Sequence, residues 1–351
     1  MDLKQTFARS RIPDGELMRI RARLQQVKGG PVAILAALGM LMTLPAIARG
    51  QEQLTAQCAG LSNDGAMRFC NAIVEAVEIG QPRLGLSLIG GNPVPGASST
   101  LGMRLGAIPR LSLAGRVTAV TLDLPAIDRV NSDDDIKAAV PSINLDASLG
   151  VLTGLSLFPT VGGFGSIDVI ASVGMIPVPE GEGFGGDNPF SWALGARLGI
   201  LRESFTAPGI SVTGTYRRMS DVTYGDRTLA DEQSYFEASD MSMLSVRGVI
   251  GKRILMLGAN AGVGYDRFKS NVAFGGVVSG SPRFDFAEDD FTNNRTMAFG
   301  SLSFTMLILS IIAEAGWQNG GDEFTATLPT GQSSKTQKSA YFGSLAIRLS
   351  I

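Results

Sequence analysis

The sequence predicts an all-β protein: a transmembrane, up-and-down antiparallel β-barrel of about 12 strands (range about 10–14), preceded by a short N-terminal helix. Three observations lead to this prediction. Apolar residues alternate with small or polar residues along runs of about 9–13 residues, a length that matches membrane-spanning strands better than the ~5–6 residues of soluble ones. The connections between these runs alternate between short and long. Glycine provides 44 of the 351 residues, which disfavours a helical bundle because each interior glycine costs about 1 kcal/mol in a helix.

The composition excludes several classes of function. Charged residues make up 18% of the chain and hydrophobic residues 44%, so the chain is neither a disordered acidic polymer nor a basic nucleic-acid binder. The absence of histidine removes Ser-His-Asp and Cys-His catalysis, histidine-ligated zinc and haem with a proximal histidine. We therefore predict no enzymatic activity, no catalytic residue, no cofactor, no metal and no nucleic-acid partner.

The N-terminal 48 residues predict a secretory signal peptide. Arg19, Arg21 and Arg23 precede an apolar run over 31–44, and an Ala-x-Ala site follows at 46–48. The alternative is an uncleaved transmembrane anchor, since 31–48 is just long enough to span a bilayer. The basic region is long, so the start is either Met1 or Met18. Removing 1–48 leaves 23 basic and 29 acidic residues, a formal net charge of −6.

Residues 49–81 predict a small periplasmic or plug segment. Cys58 and Cys70 are the two cysteines of the chain, and in an exported protein such a pair predicts a disulfide; the alternative is two free thiols. Ser62 or Asn63 is a candidate N-cap for a short helix that follows. The sequence leaves open whether this helix plugs a lumen or sits at the mouth of the barrel.

Residues 82–351 predict the barrel. Period-two alternation is clearest over 143–151, 190–200, 255–266 and 341–351. The predicted strands start near residues 83, 99, 109, 141, 165, 188, 208, 232, 254, 294, 309 and 338.

The predicted connections differ in length between the two ends of the strands. Short connections lie at 107–109, 157–164, 203–207 and 251–253, and a turn almost without turn residues is placed near Leu307–Ser310. Long polar connections lie at 125–140, 177–187, 221–231, 269–293 and 319–337. This segregation is typical of an outer-membrane barrel, with short turns on one side and long loops on the other.

With these features, the chain resembles a Gram-negative outer-membrane β-barrel. Leu345, Ile347 and Leu349 fit the apolar pattern of the final strand in that class, whereas the last residue is Ile351 rather than an aromatic. A faint likeness to the long-chain fatty-acid transporter group rests on the Asn92-Pro-Val-Pro-Gly96 turn, which we expect in the first outer loop. The resemblance implies an outer-membrane location after export and signal-peptide cleavage.

The polar parity of the strands predicts the residues that line the lumen, because a charge on the lipid face costs about 2–4 kcal/mol near the midplane. The predicted lumen charges are Arg104, Arg116, Asp146, Asp168, Arg197, Arg217, Arg247, Asp266 and Arg348. They form either a charged pore wall or an Arg–Asp network that fills a narrow lumen and ties the strands together.

For function, the sequence predicts a passive channel or transporter for small or hydrophobic solutes. The alternative is a non-conducting structural or adhesive barrel that acts through its long outer loops. Expected partners are outer-membrane lipid, lipopolysaccharide, the assembly machinery through the C-terminal strand and a small solute. The competing fold is a soluble β-sandwich.

Overall fold

The structure is a computed structural model. It describes Leu54 and residues 56–351, except 105–107, 125–135, 157–161, 178–183, 186–187, 225–233, 278–282, 321–323, 328–332 and 337–338. The predicted signal peptide, the side chain of Arg104 and most of the acidic loops at 125–140 and 177–187 lie outside the described residues. Among the residues described, no helix is both long enough and apolar enough to cross a membrane.

Ten antiparallel strands form a closed barrel. Each pairs with the next in chain order, and the last strand returns to the first, where Leu349 lies opposite Leu113. The strands are β3 (Leu111–Leu124), β4 (Ile136–Leu152), β5 (Ser166–Met175), β7 (Phe190–Leu201), β8 (Gly209–Met219), β10 (Ser234–Ile254), β11 (Leu257–Gly276), β12 (Phe284–Met306), β13 (Leu309–Gln318) and β16 (Ala340–Ser350). Closure leaves these strands without a free edge over their paired length.

The remaining strands are short and lie outside the ring. They are β1 (Met103–Arg104), β2 (Ile108–Pro109), β6 (Phe184–Gly185), β9 (Val222–Tyr224), β14 (Phe324–Thr327) and β15 (Ser333–Thr336). β1 pairs with β2 and β14 with β15, while β9 and β6 extend the sheet beside the upper part of β10.

The two ends of the barrel differ, as the sequence predicts. At one end, here called the short-turn end, the two-residue turns Leu255–Met256 and Leu307–Ile308 join β10 to β11 and β12 to β13. The connections 153–165 and 202–208 and the end of β16 lie at the same end. The other end, the long-loop end, holds the longer connections. The weakly marked turn near Leu307–Ser310 is confirmed, and the turn predicted at 251–253 lies four residues later than expected, because β10 continues to Ile254.

The barrel is inverted in polarity relative to a soluble protein. Outward-facing apolar side chains such as Leu345, Ile347 and Leu302 are exposed, whereas inward-facing arginines and aspartates are buried. Trp192, Tyr216, Tyr265, Trp317 and Tyr341 lie on the outward parity toward the long-loop end. Between these aromatics and the short turns, the described outward-facing strand residues carry no charge until Lys252 at the rim. This is the outer face of a transmembrane barrel, with an aromatic girdle at the outer boundary of the membrane.

A 26-residue helix, α1 (Asp64–Ile89), precedes the barrel strands. Asn63 caps it: its side-chain oxygen accepts from the amides of Gly65 at 2.7 Å and Ala66 at 3.2 Å. Gly90 ends the helix with φ of 63°, a conformation that favours glycine. The helix therefore continues well beyond residue 81, where the sequence analysis ended it.

The strands predicted to start near residues 83 and 99 are wrong. Residues 83–89 are the last two turns of α1, and 90–102 has no regular secondary structure. A strand was predicted here because Leu84, Leu86 and Leu88 alternate with the period of a strand. Pro82 also disfavoured a helix, since proline cannot donate a helical hydrogen bond. A helix inside a barrel is surrounded by wall, so it is buried on every side and loses the amphipathic period that identifies surface helices. The other ten predicted strands correspond to the ten strands of the barrel.

The first half of α1 packs beyond the aromatic girdle against the extended β11–β12 hairpin. Its buried partners in the hairpin are Val272, Phe274, Phe284 and Phe291. Cys58 and Cys70 are joined by a disulfide, with their Cα atoms 5.6 Å apart. We call this part of the molecule the headpiece. The headpiece shows that the long loop predicted over 269–293 is wrong. β11 continues to Gly276, β12 begins at Phe284, and both strands cover the first half of α1.

Candidate functional site: the occupied lumen

The lumen of the barrel contains the protein's own N-terminal region. The second half of α1 descends into it from the long-loop end, and residues 90–102, here called the lumen segment, continue to the short-turn end. There the segment meets the wall: a Cβ on Gly209 would lie 2.5 Å from the side chain of Ser98, and one on Gly150 would lie 2.1 Å from the carbonyl oxygen of Gly102. The chain thus runs the whole length of the lumen before the first barrel strand begins.

Acidic side chains of the wall accept hydrogen bonds from the amides of the lumen segment. Both carboxylate oxygens of Glu314 are used, one by Gly91 N at 2.9 Å and one by Asn92 N at 3.0 Å. Asp168 accepts from Leu101 N at 2.9 Å and from Gly102 N at 3.4 Å. These carboxylates supply partners that backbone amides outside regular secondary structure otherwise lack.

Arginines of the wall donate to the carbonyl groups of the same segment. Arg247 Nε bonds Gly91 O at 3.1 Å, and Arg116 Nη1 bonds Asn92 O at 3.1 Å. Arg197 Nη1 reaches Ala97 O at 3.5 Å, and Arg348 Nη1 donates to Pro95 O. The wall charges therefore hold the segment through its backbone, and they do so at both ends of it.

Three of these arginines are also paired with aspartates of the wall. Arg197 lies 2.7 Å from Asp168, Arg247 lies 2.7 Å from Asp266, and Arg116 lies 3.3 Å from Asp146. The members of the first two pairs are completely buried. Each pair bridges adjacent strands, so the network ties the wall together while it grips the lumen segment.

The helix is held by a second set of polar contacts. Gln81 Nε2 donates to Ser270 Oγ at 2.8 Å, and Ser142 Oγ donates to the carbonyl oxygen of Ser87 at 2.6 Å. Glu78 of the helix lies 3.6 Å from Arg295 of β12. Close packing accompanies these bonds: a Cβ on Gly85 would lie 2.2 Å from the Phe268 ring.

The predicted lumen charges fall into three groups. Arg116, Asp146, Asp168, Arg197, Arg247 and Asp266 are buried in the three ion pairs described above. Arg217 is buried and donates to Ser191 Oγ and Ser172 Oγ, both at 2.8 Å. Arg348 is buried beside Pro95, and no carboxylate among the described residues forms an ion pair with it.

Sequence reasoning missed Glu314, Glu78 and Arg295. Glu314 stands on the inward parity of β13, between Ile312 and Gly316, so the rule that selected the other charges also selects it. Glu78 was missed because the sequence left open whether the helix of the 49–81 segment enters the lumen. Arg295 was missed because it stands at the very start of the strand predicted near 294, whereas β12 begins at Phe284. The Asn92–Gly96 turn was placed in an outer loop; the structure places it in the lumen, where Asn92 is buried under Glu314.

The described residues contain no group of three or more metal-ligating side chains that could hold an ion. The buried carboxylates of the site are already occupied by arginines or backbone amides. Its chemistry is therefore that of a clamp, which fixes one segment of chain inside another.

No protein-family model matches this chain, and no curated protein matches it. Among solved structures, it is similar to the translocator domain of the autotransporter NalP from Neisseria meningitidis, with 11% identity over 80% of this chain and 97% of that one and a TM-score of 0.41. It is also similar to Ail, the attachment invasion locus protein of Yersinia pestis, with 9% identity over 69% and 98% and a TM-score of 0.27. The copper transporter OprC matches with 13% identity over 72% and 43% and a TM-score of 0.29. The assignment of a closed barrel to this chain therefore rests on the pairing of its own strands and not on these similarities.

Proposed function

We propose that this protein is a closed surface barrel of the Gram-negative outer membrane, which conducts nothing at rest and acts through its long-loop end. One observation carries the proposal: six wall charges of the kind that would select solutes in a pore, among them Glu314, Asp168 and Arg247, are bonded to the backbone of the lumen segment. A charge that is paired and bonded in this way leaves no free field for a passing ion. The geometry thus favours the second function predicted from the sequence over the passive channel.

The headpiece supports this choice. Its hydrophobic core is built from α1 and the β11–β12 hairpin and lies beyond the aromatic girdle, outside the membrane. The Cys58–Cys70 disulfide cross-links the chain at this core. An open pore has no need for a packed core above its mouth. A structural or adhesive protein presents such a rigid surface, because rigid elements hold a binding surface more precisely than loops do.

Planar-bilayer recording of the purified protein tests the proposal. We expect the wild-type protein to show no stable single-channel steps. A variant with Glu314→Ala and Asp168→Ala leaves four backbone amides of the lumen segment without their acceptors, and we expect it to show intermittent openings. Arg218→Ala, which alters an exposed ion pair with Asp240 on the outer side, is the matched control and should stay silent. Steady steps of uniform size from the wild-type protein would instead support the channel.

The adhesive part of the proposal is tested separately. Cells that display the wild-type barrel are compared with cells that display a variant shortened over 319–337, for attachment to surfaces coated with host matrix proteins. Attachment that depends on this loop supports an adhesin. Attachment equal to that of cells without the barrel reduces the function to a structural one.

A further inference from the structure

A cavity of about 230 Å³ opens at the short-turn end of the lumen. One side is formed by residues 96–101 of the lumen segment, and the other by the wall strands β10, β11 and β16. A buried water needs only about 10–15 Å³ of space, so this cavity has room for a solute larger than water. It lies at the opposite end of the barrel from the headpiece.

The charged groups around the cavity are mainly basic. They are Arg110, Lys252, Arg253 and Arg348, against the carboxylate of Glu203. Lys252 is already engaged, because its Nζ donates to the carbonyl groups of Ser204, Phe205 and Ala207. Glu203 is engaged as well, because it accepts from the amide of Arg253. The side chains of Arg110 and Arg253 are exposed at the mouth.

Arg348 is the group that points to a ligand. Its side chain is buried, its Nη1 donates to Pro95 O, and its Nε has no hydrogen-bond partner among the described residues. Arg116, Arg197 and Arg247 each have a carboxylate within 4 Å, and Arg348 has none in the described part of the chain. A buried guanidinium without a carboxylate partner is costly, and an anion in the adjoining cavity, which Arg348 lines, would reduce that cost by supplying the missing negative charge.

We propose that this cavity is a binding site for a small soluble phosphate-type anion that enters from the short-turn side. The guanidinium of Arg348 forms its base, since a planar fork of donors suits the geometry of phosphate oxygens. Arg253 and Arg110 attract the anion at the mouth, and the hydroxyl groups of Ser98 and Ser99 line the opposite side as neutral hydrogen-bond donors. This site goes beyond the proposed function and does not depend on whether the barrel conducts.

Calorimetric titration of the protein in a zwitterionic detergent with inorganic phosphate tests the site. We expect saturable binding at one site, weakened by added salt because the mouth charges are screened. Arg348→Gln should weaken binding about tenfold or more, since hydrogen bonds to charged groups are among the stronger ones. Arg253→Gln leaves the lumen segment untouched and should weaken it by about threefold, as expected for an exposed charge.

Arg217→Gln is the matched control, because Arg217 is also buried without a carboxylate ion pair but lies away from the cavity. It should bind phosphate as the wild-type protein does. The proposal is overturned if the wild-type protein shows no saturable binding, or if Arg348→Gln and Arg253→Gln both bind phosphate unchanged. Repeating the titration in nanodiscs distinguishes a soluble ligand from a lipid headgroup. Loss of phosphate binding in phosphatidylglycerol but not in phosphatidylcholine would overturn the soluble ligand.

Discussion

The buried ion pair of Arg247 and Asp266 predicts a large contribution of one residue to the free energy of unfolding. Arg247 pairs with Asp266 at 2.7 Å and also donates to the carbonyl of Gly91. Arg247→Ala leaves a buried carboxylate without its cation, and we expect a loss of about 3–5 kcal/mol in the free energy of unfolding. Thermal unfolding in detergent, read from the shift between folded and unfolded mobility on gels, measures this loss.

The control for this prediction is Arg218→Ala. Arg218 and Asp240 form an ion pair at 3.1 Å on the exposed outer side, where such a pair is worth about 0–1 kcal/mol. If the two variants unfold at the same temperature, the lumen network does not stabilise the barrel as described.

Substitution of two glycines of α1 by alanine should have opposite effects on the free energy of unfolding. A Cβ on Gly85 would lie 2.2 Å from the ring of Phe268, whereas a Cβ on Gly80 would meet nothing within 4 Å. Gly85→Ala forces the ring or the helix to move and should destabilise the protein by about 1–3 kcal/mol. Gly80→Ala should be neutral or stabilise it by up to about 1 kcal/mol, through helix propensity alone.

The same unfolding assay measures both glycine variants. Phe268→Leu in the Gly85→Ala background should restore part of the loss, because the smaller side chain makes room for the new methyl group. Equal stability of Gly80→Ala and Gly85→Ala would mean that the helix does not approach the wall closely at Gly85.

At the scale of elements, the disulfide lies in the headpiece, and we expect the barrel to stay folded without it. Its loop spans a separation of 12 residues, for which a stabilisation of roughly 2–3 kcal/mol is expected. Reduction should therefore expose the start of α1 to protease while the barrel keeps its folded mobility on gels. Cys58→Ser with Cys70→Ser is the permanent form of the same change. Cleavage within the barrel strands after reduction would contradict this expectation.

Barrel strands were predictable from the sequence because their environment is uniform. Each has one face toward lipid and one toward the lumen, so the alternation over 190–200 or 341–351 has a single cause. Even the turn predicted near Leu307–Ser310 is present, although it contains almost no typical turn residue and Leu307 adopts a positive φ. Ten of the twelve predicted strands are present for this reason.

The lumen elements were not predictable by the same reasoning. Leu84, Leu86 and Leu88 are surrounded by wall on all sides, so their spacing carries no information about which face is buried. The lumen segment is fixed by Glu314, Asp168 and the arginines, all of them distant in sequence. Parity alone identified most of these charges but not what they bind, since a pore wall and a clamp require the same residues.

At the scale of the whole molecule, the membrane belt predicts where a charge is tolerated. Leu345 lies midway between the aromatic girdle and the short turns on the outward face of β16, and Leu349 lies on the same face at the short-turn end. Leu345→Arg should cost about 2–4 kcal/mol and Leu349→Arg about 0–1 kcal/mol. Refolding into lipid vesicles with denaturant titration measures both. Equal costs at the two depths would contradict the placement of the belt.

The path of α1 through the ring also constrains how the protein is made. Since β16 pairs with β3, the barrel wall closes around α1 and the lumen segment. The helix could leave a closed barrel only by sliding out along the barrel axis. The disulfide loop and headpiece block sliding in one direction, and the covalent link from Gly102 to β3 blocks it in the other. We therefore expect α1 and the lumen segment to be in place before β3 pairs with β16. This pairing, the β3–β16 seam, is then the last one of the barrel to form. A cysteine pair across the β3–β16 seam at Ala119 and Gly343, trapped by oxidation during assembly, should appear only after the part of α1 around Glu78, which pairs with Arg295 of β12, is protected from labelling.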